Sequence, residues 1–219
     1  SYENQIIGLE QKDYPKQREV IQSFLEETWN PMEDLGTELY GKTLGIIGMG
    51  RIGQAIAKRA IAFDLKINYH NRRKLHNELE KTLQAKYWIN LEEMISHVDI
   101  LVVSASLNPS SLYLLDQKML SRLKTSAYII NISRGEIIDQ NALVRLLKNK
   151  KISGAGLDVY DDNKIISEDF KRLKNVFLLP HMGSSTLEGR LEMGEKVILN
   201  IKTFIDGHRP SDQIVPSML

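Results

Sequence analysis

Two hydrophobic rhythms alternate along most of this chain. From residue 42 onward, short unbroken apolar runs are separated by stretches in which apolar residues recur every three or four positions. The runs are Thr43–Gly48, Lys66–His70, Ile100–Ser104, Tyr128–Ile132, Gly154–Val159 and Val176–Leu179. Helical spacing covers residues 51–63, 91–96, 116–122 and 139–148. A strand that is apolar on both faces must be covered on both faces. Such strands separated by helices predict a doubly wound α/β domain on a parallel sheet of about six or seven strands. Ser185–Ile205 predicts one long helix. Gly207, Pro210 and Pro216 in the polar tail Asp206–Leu219 argue against further regular structure.

The first 40 residues follow neither rhythm strongly. Within Lys16–Trp29, Val20, Ile21, Phe24 and Leu25 share one helical face, and Pro31 ends the pattern. The charged face of that helix meets either solvent or another domain or subunit. The chain therefore divides into a helical or linker segment at 1–35, a main domain at 36–205 and a tail at 206–219.

Composition removes several classes of function. With 29 Lys and Arg against 28 Asp and Glu, the net charge of +1 gives no electrostatic reason to expect nucleic acid or an anionic membrane as partner. No apolar run approaches the ~18 residues of a membrane-spanning helix, and Ser1-Tyr2-Glu3-Asn4 lacks the pattern of a secretory signal. The absence of cysteine excludes disulfides and thiolate chemistry and fits a cytoplasmic protein. No cluster of residues has metal-ligand spacing.

The strongest local signal is Gly48-Met49-Gly50-Arg51-Ile52-Gly53, placed between an apolar run and a good helix former, Gln54–Ala60. In that context a GxGxxG sequence is a dinucleotide-binding fingerprint. Gly48 permits the tight turn, Gly50 lets a pyrophosphate approach the backbone, and Gly53 lets the helix pack close to the strand. Arg51 and Ile52 open the helix, where free N–H groups and the positive end of the helix dipole face the phosphates. The next apolar run, Lys66–His70, ends in Asn71-Arg72-Arg73-Lys74, with no carboxylate there to bind a ribose 2′-hydroxyl. A carboxylate would repel a 2′-phosphate, whereas an arginine fork pairs with one. Asn71, Arg72 and Arg73 therefore favour NADP(H), with NAD as the second choice. The competing reading is a solvated basic turn.

Four blocks carry a resemblance. Leu39–Gly53 is followed in order by Ile130-Asn131-Ile132-Ser133-Arg134-Gly135, by Gly154-Ala155-Gly156-Leu157-Asp158-Val159-Tyr160, and by Leu179-Pro180-His181-Met182-Gly183-Ser184. Together they resemble the cofactor domain of the D-2-hydroxyacid dehydrogenases over about residues 36–219, and Asn71-Arg72-Arg73 leans towards the glyoxylate and hydroxypyruvate reductases. The resemblance implies a Rossmann-type fold and a hydride transfer between NADP(H) and a small 2-hydroxy or 2-keto acid. It implies that Arg134 holds the substrate carboxylate and polarises the keto group, and that His181 is the acid and base. A guanidinium suits a carboxylate–ketone pair, and an imidazole exchanges a proton near neutral pH. It places Asp158 and Gly183 near the nicotinamide end of the cofactor, Ser106 and Ser111 along the cofactor cleft, and the backbone of Ile132 and Ser133 at the nicotinamide ribose. Ser106 departs from the family pattern, which has proline there. His70, His76, His97 and His208 match no block and read as surface or packing residues.

The third catalytic position departs from the pattern. Where the family has a glutamate paired with the histidine, this chain has Asn163, followed by Lys164 in place of proline. An amide accepts a hydrogen bond from an imidazole but lends no charge to the imidazolium. Asp161, Asp162 and Glu168 are nearby carboxylates that can compensate.

The resemblance also implies a homodimer formed through the cofactor domain, and a second, substrate-binding domain that is largely missing here. The chain is then a shortened one, one whose remaining parts are disordered, or one whose lineage lost that domain. A lone cofactor domain leaves one wall of the cleft open, so it is expected to bind cofactor better than it catalyses. The alternative to an oxidoreductase is a catalytically impaired dinucleotide-binding sensor or interaction protein of the same family.

Overall fold

The structure is a computed structural model that describes residues 26, 36–161 and 167–213. Apart from Glu26, the helix expected over Lys16–Trp29 lies outside the described residues, as does the expected catalytic position Asn163. Chain contacts separate a unit of Glu38–Gly183 from one that combines Ser1–Thr37 with Ser184–Leu219.

The first unit is a seven-stranded, all-parallel sheet. Its strands are β1 (Thr43–Ile47), β2 (Lys66–His70), β3 (Ala85–Tyr87), β4 (Ile100–Val103), β5 (Tyr128–Asn131), β6 (Gly154–Leu157) and β7 (Val176–Leu178). Their spatial order is β3-β2-β1-β4-β5-β6-β7. The order reverses between β1 and β4, the switch point of a doubly wound sheet. Between the strands run α1 (Arg51–Ile61), α2 (Asn77–Thr82), α3 (Leu91–His97), α4 (Gln117–Leu120), α5 (Gln140–Lys148) and α6 (Glu168–Arg172). A 3₁₀ turn at Gly135–Ile137 precedes α5.

Alternation along the strands sorts their side chains onto two covered faces. Leu44, Ile46, Ile67, Tyr69 and Val102 pack with Ala57 and Ala60 of α1. Ile47, Leu101, Val103, Ile129 and Leu157 pack on the other face with Met94 and Ile95 of α3 and Leu143 and Leu147 of α5. Each fully buried aliphatic side chain contributes about 1.5–3 kcal/mol through water exclusion. The predicted α/β architecture is present. The strand missing from the six apolar runs is β3, whose Ala-Lys-Tyr sequence has no fully buried residue. The helices α2 and α6 were also not predicted. The first buries nothing and the second buries only Phe170, so neither leaves a periodic apolar signature.

In the second unit, α7 (Leu187–Ile205) matches the predicted long helix, and Thr186 caps its Gly189 N–H at 2.9 Å. No regular element follows among described residues 206–213. No helix among the described residues is long and apolar enough to cross a membrane.

Asp99 ties three strand starts together at the amino edge of the sheet. Its N–H donates to Thr43 O and its carbonyl accepts from Tyr128 N, each at 2.9 Å. Its Oδ2 accepts from Thr43 N at 2.8 Å, and its Oδ1 pairs with Lys124 Nζ at 2.8 Å. Burial alone raises the carboxyl pKa, but the bonds from Lys124 and Thr43 outweigh it, and Asp99 titrates below the ordinary carboxylate range. A depressed folded-state pKa adds stability that is present above the unfolded pKa and is lost as pH falls through the folded one. Asp99→Asn is therefore expected to lower the unfolding free energy by about 1–2 kcal/mol at neutral pH. The gap to the parent chain should close under acid conditions, as read by urea denaturation across a pH series. A gap that persists unchanged in acid would contradict the charged anchor.

Candidate cofactor and active site

Register places the site. Ile47, Val103, Asn131, Leu157 and Leu178 lie side by side across five strands, and His70 is paired with Ile47 on β1's other side. The residues that follow them, Gly48, Ser104, Ile132, Asp158, Leu179 and Asn71, leave the sheet on the same carboxyl edge. Every predicted site residue within the described range lies on the loops or helix starts that follow this row.

The glycine-rich turn begins with Gly48 at φ +91°, a left-handed conformation that a side chain disfavours. Its carbonyl accepts from Ser104 Oγ at 2.7 Å, so the turn is tied to the end of β4. A Cβ on Gly53 would run into that same carbonyl, which is why α1 packs so close to β1. A Cβ on Gly50 would meet nothing within 4 Å, so this glycine faces open space. Gly50 is the N-cap of α1 and offers no side-chain cap, and the helix has no acidic residue in its first turn. The other helices differ. Asn90, Asp116, Asp139, Ser167 and Thr186 cap α3 to α7 with side-chain oxygens, and α2 carries Glu78 and Glu80 in its first turn. Among the described α-helices, α1 alone has neither kind of neutralising group. Its N–H groups at Arg51 and Ile52 fit an external anion such as a pyrophosphate.

The turn after β2 presents Arg72 and Arg73 to solvent, with Asn71 half-buried. The Asn71 amide donates to Arg73 O at 3.0 Å. Lys74 is paired with Glu80 at 3.1 Å, and no carboxylate pairs with either arginine among the described residues.

Arg134 is exposed and likewise carries no ion pair among the described residues. Its turn is stapled from below by Asn131, which is 1% exposed. Asn131 donates from Nδ2 to Arg134 O at 2.9 Å and accepts from Ser133 N at 3.1 Å through Oδ1. The Ser133 hydroxyl donates to Ala105 O and ties this loop to the one after β4. The Ile132 N–H is bonded to Val103 O at 3.3 Å.

His181 is exposed and sits at φ +53°, a left-handed conformation that costs a non-glycine residue about 1–2 kcal/mol. Its neighbours hold it there. Leu179 N donates to Leu157 O at 2.8 Å, and the Tyr160 hydroxyl donates to Leu179 O at 2.8 Å. The buried Asp158 carboxylate accepts from Met182 N at 2.9 Å and from Gly183 N at 3.2 Å. Asp158 and Gly183 therefore brace the histidine loop, a role that their expected place at the nicotinamide end did not suggest.

Ser106 is exposed on the loop after β4, in line with a cleft position, but Ser111 turns inward. The Ser111 hydroxyl donates to Ser106 O at 2.8 Å and accepts from Asn108 N at 2.8 Å. At 6% exposure it closes its own loop and does not line a cleft. His70 bonds through Nδ1 to Trp88 O at 2.9 Å, and His97 packs 5.1 Å from the Trp88 ring. Asn131, Ser104 and Tyr160 were not singled out in the sequence. The available signal was a polar residue ending an apolar run, as Asn131 does in Tyr-Ile-Ile-Asn.

Comparison with known proteins agrees with this geometry. The family profile of the D-isomer specific 2-hydroxyacid dehydrogenase NAD binding domain matches residues 14–183. A glyoxylate reductase from Pyrococcus furiosus is 42% identical over 182 residues, covering 83% of this chain and 54% of its own. A crystal structure of a glyoxylate reductase from Paecilomyes thermophila superposes with a TM-score of 0.81 at 36% identity, over 91% of this chain and 60% of that one. The NAD-complexed D-isomer specific 2-hydroxyacid dehydrogenase from Lactobacillus delbrueckii ssp. bulgaricus gives 0.78 at 27% identity, over 90% of this chain and 63% of that one. The chain thus spans just over half the length of the Pyrococcus protein.

The Asp158 brace makes a local prediction. Asp158→Ala removes the acceptor of two partly exposed loop N–H groups and should cost about 1 kcal/mol of stability. Hydrogen exchange at Met182 and Gly183 should accelerate, while the strand amide of Leu157 stays protected. Unchanged exchange at those two amides would show that the loop does not depend on the carboxylate.

Proposed function

The chain belongs to the D-isomer specific 2-hydroxyacid dehydrogenase family, and from that membership we propose that it binds NADP(H) and serves the reduction of a small 2-keto acid such as glyoxylate. One observation carries the reading. Arg134 and His181 leave the sheet on the same edge as the uncapped start of α1, from strands two apart. Strand spacing puts those exits about 10 Å apart, the scale of a small organic acid beside a nicotinamide ring. The names of the relatives, glyoxylate reductases among them, support the substrate class.

Each residue then has a chemical role. The first-turn N–H groups of α1, at Arg51 and Ile52, receive the pyrophosphate, with Gly48, Gly50 and Gly53 allowing the approach. Asn71, Arg72 and Arg73 take the ribose 2′-phosphate through charge-assisted bonds. The backbone of Ile132 and Ser133 borders the nicotinamide ribose, and the exposed Ser106 lines the cleft. When bound, the cofactor supplies the hydride. Arg134 pairs with the substrate carboxylate through its planar fork and draws electron density from the keto oxygen. His181 delivers the proton that this oxygen requires and recovers it in the reverse direction.

The cofactor choice is tested by fluorescence titration. The parent chain is expected to bind NADPH more tightly than NADH. Replacing both Arg72 and Arg73 by alanine should weaken NADPH by about tenfold or more and leave NADH within about twofold. Equal affinities in the parent would overturn the NADP assignment.

The catalytic reading is tested by loss of nicotinamide absorbance with glyoxylate, on this chain and on any longer chain that contains it. Arg134→Lys keeps the charge but loses the fork, and kcat/KM is expected to fall by about a hundredfold or more. Cofactor binding without turnover in every form would favour the sensor reading raised by Asn163.

A further inference from the structure

The two arginines after β2 stand on a turn whose backbone is held from beneath by aromatic hydroxyls. Tyr69 is fully buried in β2, yet its phenol reaches the turn. It accepts from Leu75 N at 2.9 Å and donates to Glu80 Oε1 at 2.6 Å. The other Glu80 oxygen holds Lys74 at 3.1 Å. Tyr87, opposite Tyr69 on β3 with ring centroids 5.2 Å apart, donates from its hydroxyl to Asn71 O at 3.2 Å. The Asn71 amide in turn holds Arg73 O at 3.0 Å. Main-chain groups at Asn71, Arg73 and Leu75 are thus fixed on both sides of Arg72, while both guanidiniums remain in solvent.

We propose that Tyr69, supported by Glu80 and Tyr87, is a specificity-determining positioning residue. It holds the Asn71–Leu75 turn in the shape that lets Arg72 and Arg73 recognise a phosphate monoester on the cofactor ribose. The inference rests on the NADP(H) reading above and deepens it. The physical argument is preorganisation. An arginine pair on a slack turn must lose backbone freedom when it closes on a phosphate, and a turn already fixed has less to lose. Glu80 has two parts in this. It orients the Tyr69 hydroxyl, and it occupies Lys74, so the phosphate site consists of guanidinium forks and not of a mobile ammonium. Burial raises the Glu80 pKa, but the bonds from Tyr69 and Lys74 outweigh it and the carboxyl titrates below its ordinary range. Glu80 is therefore ionised at neutral pH. Burial, followed by the bond to Glu80, pushes the Tyr69 phenol up, so it stays a hydrogen-bond donor.

The test is the ratio of NADPH to NADH dissociation constants, measured by fluorescence titration of the 219-residue chain. Tyr69→Phe removes only the hydroxyl. It is expected to weaken NADPH about fivefold to tenfold and to leave NADH within about twofold. Tyr87→Phe, which removes the exterior anchor and disturbs the core less, is expected to shift the same ratio in the same direction by about twofold to threefold. It also decides the matter if the Tyr69 variant does not fold. A purely structural role would weaken both cofactors alike. A parent preference for NADPH that survives both substitutions, or an equal loss for both cofactors, overturns this inference and leaves the NADP(H) reading standing. A parent that does not prefer NADPH overturns both.

Discussion

Parallel pairing obliges every strand of a sheet to finish on the same edge. In this chain that constraint places six strand exits in one row, from the basic turn after β2 to the histidine loop after β7. Each exit leaves main-chain groups that can no longer pair within the sheet, and a close-packed domain must satisfy them or aim them at a ligand. Most are satisfied by neighbouring loops. Ser104 holds Gly48, Ser133 holds Ala105, Asn131 holds Arg134, and Asp158 holds Met182 and Gly183. The helix start at Gly50 is left without a cap or an acidic neighbour, and it lies next to the switch point where strand order reverses. The location of the site is therefore a consequence of topology before any catalytic side chain is considered.

The legibility of this design in the sequence follows burial and range. Five of the six strands seen as apolar runs carry buried residues, and the sixth, the edge strand β7, is no longer or more buried than β3 but is made of the wholly apolar Val-Phe-Leu. The strand β3 was missed because an edge strand of three half-exposed residues needs no apolar run. The helices α2 and α6 were missed for a similar reason. One buries nothing and the other a single phenylalanine, which leaves no period to detect. Within the candidate site, the positions of Gly48, Arg134 and His181 at the strand exits were legible because each follows a recognisable apolar run. Asn131 and Tyr160 were not, because their roles exist only through partners brought close by the loops. Ser111 shows the converse. A position expected to face the cleft buries its hydroxyl, which is bonded to two groups of its own loop, Ser106 O and Asn108 N.

The braces also separate two tasks that a sequence comparison merges. Arg134 and His181 present exposed side chains, and buried groups hold the backbone of their loops. A backbone tether is indifferent to the identity of the residue it holds. Asn131 grips the carbonyl of position 134, and Asp158 the amide of position 182, through backbone alone, whereas at position 183 a Cβ would crowd the Asp158 carboxylate. Side chains on the rim can therefore change while the loops keep their shape. Among the described residues, the tethers that hold the His181 loop run through Leu179, Met182 and Gly183.

The left-handed backbone of His181 gives this scaffold its energetic meaning. About 1–2 kcal/mol of local strain would relax if the loop were free, so the conformation persists only because surrounding bonds outweigh the cost. Two amides held by Asp158 and one carbonyl held by Tyr160 each contribute roughly 1 kcal/mol, and the ladder bond from Leu179 to Leu157 adds to them. The excess is small. The histidine loop is thus fixed by a balance in which any one tether matters, whereas the glycine-rich turn is fixed by the close approach of Gly53 to Gly48 and has no slack to lose. In the proposed function, cofactor binding and proton transfer rest on parts of different rigidity. Substitutions in the braces should impair placement of the proton-transfer group before they impair the cofactor turn.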